Sequence, residues 1–502
     1  MIIHNLKKLS ELVKEAKLKK KTIGLCHGVY DVLHSGHILH FEEAKKVCDI
    51  LIVSITSDQF VNKGPNRPFL NQEIRSKILS SIKLIDYIYC NNELTPINLI
   101  HKIRPNFYIK GKDYKKSEDD LTNNLKLEIS AINSVRGKFY TTESLQFSSS
   151  KIISDQFNLI NNDFQKAILK VNKDNLKRQL KSLISSKINK KILIIGEPII
   201  DEYTKVKILG KSAKNNIIST SFIKKNSYAG GSLLVANVLS NFFTNIDLLT
   251  FNKQSNEGSY NKLLNRNIKK IYINCDNKII IKNRFLDAYS NERLFQINKN
   301  NIFSIKKKYK NSFLGKIKKV MKIYDKIIVL DFGHELFSKE LVKLINLYSN
   351  KTIINCQSNS ANFGFNLINK YKSGYTISMD EIEFRLGVND KNNSIDSLIQ
   401  TNKKLINKFN KFIITRGKLG SYLIDKKEKY YFPSLVKNPV DTTGSGDVFF
   451  SMVILASYLK KINNFDVSLL AHLGAGLHSL KLGNECVVNA KSIYKNICHL
   501  IP

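Results

Sequence analysis

From residue 22 onward, short apolar runs alternate with stretches whose apolar positions recur at helical spacing. The first run covers residues 22–26, a helical stretch follows at 38–47, a second apolar run at 50–56 and a second helical stretch at 72–84. Parallel strands need a long connection across the sheet face, so this alternation predicts a doubly wound α/β sheet. The rhythm fades after about residue 154. Residues 170–190 are polar, helical in period and poor in Gly and Pro, which predicts a linker helix. A new apolar run at 191–196 opens a second alternating section, with further strands expected at 326–330, 352–355 and 411–415. The pattern divides the chain into a domain over 1–155, a linker over 156–190 and a second α/β domain over 191–502, with no repeat relating the two.

Length agrees with that division, because 502 residues exceed what one hydrophobic core normally supports. No apolar run reaches the roughly 18 to 20 residues that span a bilayer, so no membrane span is expected. Residues 1–8 read as the start of an amphipathic helix with none of the marks of a secretory signal, which predicts a cytoplasmic location. The seven cysteines are scattered and form no C-x-x-C pair; reduced thiols are expected, with neither disulfides nor structural zinc. Charge is the one unusual quantity: 80 basic minus 42 acidic residues gives +38. The lysines are dispersed among Asn and Ile, as at Lys7-Lys8, Lys306-Lys307-Lys308 and Lys460-Lys461. Dispersal marks solvated faces and no specific nucleic-acid partner, while the field still favours anionic substrates.

The first concentrated chemistry lies at His27-Gly28-Val29-Tyr30-Asp31-Val32-Leu33-His34-Ser35-Gly36-His37, between an apolar run and a helical stretch. Two imidazoles flank a Ser-Gly turn at an expected helix N-terminus, where free backbone N–H groups and the helix dipole favour an anion. Gly36 lets the backbone approach phosphate closely. These residues resemble the nucleotidyltransferase superfamily of cytidylyl- and adenylyltransferases, whose H-x-G-H signature stands here as His34-Ser35-Gly36-His37. Lys63-Gly64-Pro65-Asn66-Arg67-Pro68 looks like that family's K-G-x-x-R-P segment, and Arg75 falls where its helix Arg does. Lys110-Gly111-Lys112-Asp113-Tyr114 looks like its K-G-x-D-Y loop, and Phe147-Ser148-Ser149-Ser150-Lys151-Ile152-Ile153 like its I-S-S-T-x-x-I segment. The resemblance covers residues from about 20 to 155. It implies a Rossmann-like domain in which a substrate phosphate oxygen attacks the α-phosphate of ATP or CTP and pyrophosphate leaves. It implies catalytic roles for His34, His37, Lys63 and Arg75, with Mg²⁺. Nucleotide contacts are implied for Gly28, Tyr30, Asp31, Gly36, Lys110, Gly111, Asp113, Ser148, Ser149 and Ser150.

A second concentration lies at Asp441-Thr442-Thr443-Gly444-Ser445-Gly446-Asp447, followed by a helical stretch at 448–458. Glycines at a helix start free N–H groups for an anion, and an adjacent carboxylate can take a proton from an attacking hydroxyl. The segment resembles the D-T-x-G-x-G-D signature of ribokinase-like (PfkB-type) carbohydrate kinases. That implies Asp447 as catalytic base and Thr443, Gly444, Ser445 and Gly446 as the ATP-side anion site. In the same family order, Thr415, Gly417 and Gly420 resemble the nucleotide loop, and Asp201, Gly230, Gly231 and Asn237 the sugar-binding residues. Lys282 and Arg284 are implied to meet a sugar phosphate. The gap between Gly231 and Asn237 is longer than the family pattern, which implies an altered pocket.

The implied architecture is α/β with two doubly wound domains, a Rossmann-like nucleotidyltransferase followed by a ribokinase-like kinase. The pairing resembles the bifunctional heptose-phosphate kinase/heptose-1-phosphate adenylyltransferase family of envelope polysaccharide synthesis, with the order reversed. The implied function is phosphorylation of a sugar or sugar phosphate by ATP and nucleotidyl transfer from ATP or CTP to a sugar phosphate, for capsule or lipopolysaccharide; a homodimer is expected by analogy. The alternative is a nucleotidyltransferase for a glycerol or polyol phosphate, with a kinase-like domain of binding role only.

Overall fold

The computed structural model describes residues 1–61, 67–111, 124–143, 162–212, 214–252, 260–274, 279–299, 314–315, 317–359, 362–436, 439–485 and 487–500. The chain divides into two compact units, Met1–Ile160 with Cys498–Pro502, and Asn161–Ile497. No helix among the described residues is long and apolar enough to cross a membrane.

The first unit carries a six-stranded sheet, parallel throughout, of β1 (Ile2–Ile3), β2 (Ile23–Gly28), β3 (Ile50–Thr56), β4 (Tyr87–Asn91), β5 (Phe107–Lys110) and β6 (Lys138–Thr141). Its order is β1-β4-β3-β2-β5-β6. β3 is buried along its whole length, as the unbroken run Ile50-Leu51-Ile52-Val53-Ser54-Ile55-Thr56 requires of a strand covered on both faces. One core gathers Leu9, Val13, Leu25, Ile52, Ile100 and Ile132, and the other Phe41, Ala44, Val53, Leu79 and Ile88. Strand order reverses at β2, which has β3 on one side and β5 on the other; in open α/β sheets a ligand crevice forms at such a reversal, beyond the carboxyl ends of the strands. Where the pattern at 1–8 suggested helix from the start, Ile2 and Ile3 pair with β4 and the helix runs over Leu6–Leu18, its N–H of Lys7 capped by Asn5.

The second unit has two sheets. The larger orders β11 (Ile268–Asn274), β10 (Phe243–Asn252), β7 (Ile188–Gly196), β14 (Lys326–Asp331), β15 (Thr352–Cys356), β16 (Gly374–Asp380), β17 (Phe409–Thr415), β18 (Ser421–Asp425) and β19 (Lys429–Phe432). It is parallel from β11 to β17 and antiparallel over β17, β18 and β19. The smaller sheet orders β13 (Arg293–Lys299), β12 (Ile280–Asp287), β8 (Pro198–Lys211) and β9 (Ile218–Gly231). The α/β class is as the alternation predicts, and the six apolar runs it singles out form β2, β3, β7, β14, β15 and β17; the four-stranded sheet was not expected, and much of β9 is exposed, so its sequence lacks a buried-strand run.

The stretch expected as one linker helix forms two, Asn162–Ile168 and Lys173–Ser185, and both belong to the second unit. The Asp466 carboxylate accepts the Asn172 N–H at 2.7 Å, Gln179 donates to the Lys460 carbonyl at 2.8 Å, and Leu176 and Leu180, four residues apart, are fully buried. β7 already begins at Ile188.

Candidate functional site

In the first unit the ends of β2, β3 and β5 converge at the order reversal. Beyond Gly28 the chain turns through Tyr30, whose φ of 48° is left-handed, and enters the helix Ser35–Lys46 after His34. The helix starts three residues earlier than its apolar pattern suggests, which puts Gly36 and His37 in its first turn. The His34 and His37 rings stack with centroids 3.8 Å apart, and the His34 N–H donates to His37 Nδ1 at 3.4 Å. Since Nδ1 accepts, the neutral His37 ring keeps its hydrogen on Nε2. The Tyr30 ring meets the His37 ring edge-on at 5.4 Å, and a Cβ at Gly28 would come within 3.0 Å of that tyrosine. Paired imidazoles over the first turn of a helix form an anion-binding arrangement.

Other residues implied for this site build its walls. Asp31 accepts the Phe69 and Leu70 N–H groups at 2.7 and 2.9 Å and pairs with Arg67 at 2.7 Å, pinning the segment after β3 beside the turn. Arg75, expected to face phosphate, has a fully buried side chain. Its guanidinium donates to the carbonyls of Val29, Thr56 and Leu70 and to the Asp58 carboxylate, so most of its donors are spent on closing loops. Lys110 donates to the His27 carbonyl at 3.1 Å and lies 3.5 Å from the Glu128 carboxylate, whereas a Cβ on the neighbouring Gly111 would meet nothing within 4 Å. His27 and His40 lie deeper. Burial and the Lys110 charge hold both neutral, His40 down to about 4, and His40 Nδ1 bonds Thr142 Oγ1 at 2.8 Å. Lys63, Asp113, Ser148, Ser149 and Ser150 lie outside the described residues.

In the second unit Gly444 adopts φ 75° and caps the helix Ser445–Ala456. A Cβ there would lie 2.7 Å from Leu234 Cδ2 and 3.1 Å from His478 Nε2, so the turn needs glycine for both its angle and its packing. Thr443 donates its N–H to Asp441 Oδ1 at 2.9 Å, and Arg293 reaches from β13 to both Asp441 and Thr443 Oγ1. Burial works against the Asp441 carboxylate, yet the donors Tyr203, Thr443 N–H and Gly483 N–H, with the Arg293 charge, hold it below its usual range. Ser445, half-buried with its hydroxyl oxygen shielded from solvent, and the exposed Gly446 form the first turn directly before Asp447.

Asp447 is buried, and burial pushes its carboxyl up to about 7; the Gln357 hydrogen bond and the Lys282 charge oppose the shift, and the Asp201 charge adds to it. Asp201 on β8 stands in register with Lys282 on β12 and pairs with Arg284 at 2.5 Å. Burial pulls the Lys282 ammonium down against the attraction of Asp201. A Cβ on Gly230 would come 2.2 Å from Asp201 Oδ2, and Gly231, with φ 54°, caps the next helix, Ser232–Leu239. Asp201, Lys282, Arg284, Gly230 and Asp447 are thus brought together, a carboxylate of raised pKa beside cations, as general-base transfer to a phosphorylated acceptor requires. Asn237 is not among them. It sits in the last turn of Ser232–Leu239, donates to the Leu263 carbonyl at 2.7 Å and accepts the Asn265 N–H at 2.9 Å; the longer gap after Gly231 carries it away from the helix start. Thr415, Gly417 and Gly420 form the turn from β17 to β18, where Gly420 has φ 87° and a Cβ would lie 2.2 Å from the Phe432 carbonyl oxygen. Gln357, Tyr203 and Arg293 belong to this site and stand in no motif, so only their hydrogen bonds reveal them. Among the described residues no cluster of three or more His, Cys, Asp or Glu side chains is placed to hold a metal ion.

Comparison with known proteins fits these two sites. Residues 25–155 match the cytidylyltransferase-like family model, and residues 351–473 the pfkB family carbohydrate kinase model. The chain is 37% identical over 141 residues to the bifunctional protein HldE of Campylobacter concisus, covering 28% of this chain and 30% of that protein. It is 39% identical over 112 residues to the bifunctional protein HldE of Haemophilus influenzae, covering 22% and 24%. The chain thus spans under a third of the length of these curated relatives. In fold it resembles phosphofructokinase-2 from Escherichia coli in complex with substrates and products, with a TM-score of 0.50 at 11% identity, over 62% of this chain and 100% of that one. The segments that match these two models follow one another along the chain, the first including the histidine pair and the second Asp447.

Proposed function

We propose that the chain is a bifunctional enzyme of nucleotide-sugar synthesis, which phosphorylates a sugar phosphate and transfers a nucleotidyl group to a sugar phosphate. The observation that carries the reading is Asp447: a buried carboxylate with pKa near 7, directly after a glycine-capped anion turn and beside Lys282. In the kinase half Asp447 takes the proton of the acceptor hydroxyl, whose oxygen attacks the γ-phosphorus of ATP in line as ADP leaves. N–H groups of the Gly444–Gly446 turn face the growing charge, while Asp201, Lys282 and Arg284 orient the acceptor. In the other half, a sugar-phosphate oxygen attacks the α-phosphorus of ATP or CTP, and His34 and His37 hold the phosphates as pyrophosphate leaves. Lys63, Asp113 and the Ser148-Ser149-Ser150 hydroxyls are assigned to the same nucleotide, Arg75 to the wall behind it, and Mg²⁺ enters with the triphosphate as part of the substrate. The acceptor we favour is a heptose-type sugar phosphate, supported by the HldE relatives, with the transferase half first and the work done in the cytoplasm.

The test is a matrix of sugar phosphates against ATP and CTP, with pyrophosphate and ADP followed separately. His37→Ala should lose pyrophosphate release alone, and Asp447→Asn ADP release alone. Pyrophosphate without ADP from the parent chain would leave the polyol-phosphate transferase instead, and neither product with any acceptor would overturn the proposal.

A further inference from the structure

At the end of β15 a line of side-chain amides leads to Asp447. Asn355 donates from Nδ2 to the Ser378 carbonyl at 3.0 Å; Gln357 donates from Nε2 to Asn355 Oδ1 at 2.6 Å and to Asp447 Oδ1 at 3.1 Å. A backbone carbonyl only accepts, so Asn355 must present its oxygen to Gln357, and Gln357 must present its NH₂ group. Both hydrogens of that group are then committed, one to Asn355 and one to the carboxylate. The Gln357 backbone is held too, its N–H donating to the Asp331 carbonyl at 2.8 Å and its carbonyl accepting from Asn366 Nδ2 at 2.8 Å. Among the described residues Gln357 is the one side chain that donates to the Asp447 carboxylate.

We propose that Gln357, anchored through Asn355 to the Ser378 carbonyl, is the positioning residue of the kinase reaction: it tethers Oδ1 of Asp447 and leaves Oδ2 to accept the acceptor hydroxyl. The inference rests on the reading of Asp447 as the base. A carboxylate at the first turn of a helix can rotate about its Cα–Cβ and Cβ–Cγ bonds, and misplacing a base by about an ångström costs roughly a hundredfold in rate. One charge-assisted hydrogen bond from a fixed donor removes that freedom and favours the ionised base. The other charged groups facing Asp447 are Asp201 from β8, Lys282 from β12 and Glu383 from the helix Glu381–Val388. Asp201 and Glu383 oppose ionisation, so Gln357 and Lys282 together sustain it.

The experiment uses the full chain. Gln357→Leu keeps the volume and removes both donors; Asn355→Leu keeps the donor and removes its anchor. Expected for Gln357→Leu is a fall of at least tenfold in kcat for ADP formation, an unchanged KM for ATP, and an acidic limb of kcat moved up by about one pH unit. Asn355→Leu should move the limb the same way by less. Parental pyrophosphate release in each variant reports an intact chain. A parental acidic limb and kcat in both variants, with Asp447→Asn inactive, would overturn the positioning role and leave the kinase reading standing; parental ADP release by Asp447→Asn would overturn both.

Discussion

At the scale of single residues, the sites rest on groups whose work is to hold other groups. Gly230 is the sharpest case, since any side chain there would run into Asp201 Oδ2, which is paired with Arg284. Gly230→Ala should force Asp201 to turn, break that pair and raise the KM for the acceptor about tenfold or more, with the KM for ATP unchanged. Steady-state kinetics varying each substrate checks this, and an unchanged acceptor KM would remove Asp201 from the acceptor site. The glycine turns and the histidine pair were legible in the sequence because Gly, Ser and His recur there at short spacing between an apolar run and a helical stretch. Arg75 and Asn237 were not, because the groups that engage them, the carbonyls of Val29 and Thr56 in one case and Leu263 with Asn265 in the other, lie far off in sequence. Gln357 carried no signal at all: its role exists only through where the end of β15 puts it.

Among the elements, the helix Ser445–Ala456 has the greatest effect. Residues Asp447–Ala456 are all buried, and the apolar run Val448-Phe449-Phe450 with Met452-Val453-Ile454-Leu455 leaves no polar face, so the helix is fixed by packing on every side. Burying Asp447 there raises its pKa to about 7, above the value near 4 of an exposed aspartate. The folded chain thus binds this proton more tightly than the unfolded chain does. The stabilisation is fully present below about pH 4 and is lost as pH rises through 7, so at pH 8 the ionised group costs stability. Asp447→Asn should therefore raise Tm by about 2 to 5 °C at pH 8 and by less at pH 5, measured by calorimetry. A lower Tm at pH 8 would contradict the burial cost. The central strands β2, β3, β7, β14, β15 and β17 could be read from unbroken apolar runs, whereas a strand such as β9, exposed along much of its length, offers no such run.

For the molecule as a whole, the six-stranded sheet lies in the first unit and the other two sheets in the second, and each unit has its own candidate site. On the proposed reading the product of one half is a small molecule that the other half takes as substrate. An equimolar mixture of His37→Ala and Asp447→Asn chains should regenerate the nucleotide-sugar that neither makes alone, detected by chromatography; a mixture as inactive as its parts would mean that the intermediate never leaves the chain. The net charge of +38 would raise the local concentration of such an anion around either unit. The buried helix Ser445–Ala456 also bears on how this protein can evolve. Ten consecutive positions admit only changes that conserve volume, so a lineage drifting toward a more acidic or alkaline interior cannot retune its base from within that helix. Retuning must instead come from a group outside that helix that acts on the Asp447 charge without orienting the acceptor, such as Glu383 of the helix Glu381–Val388.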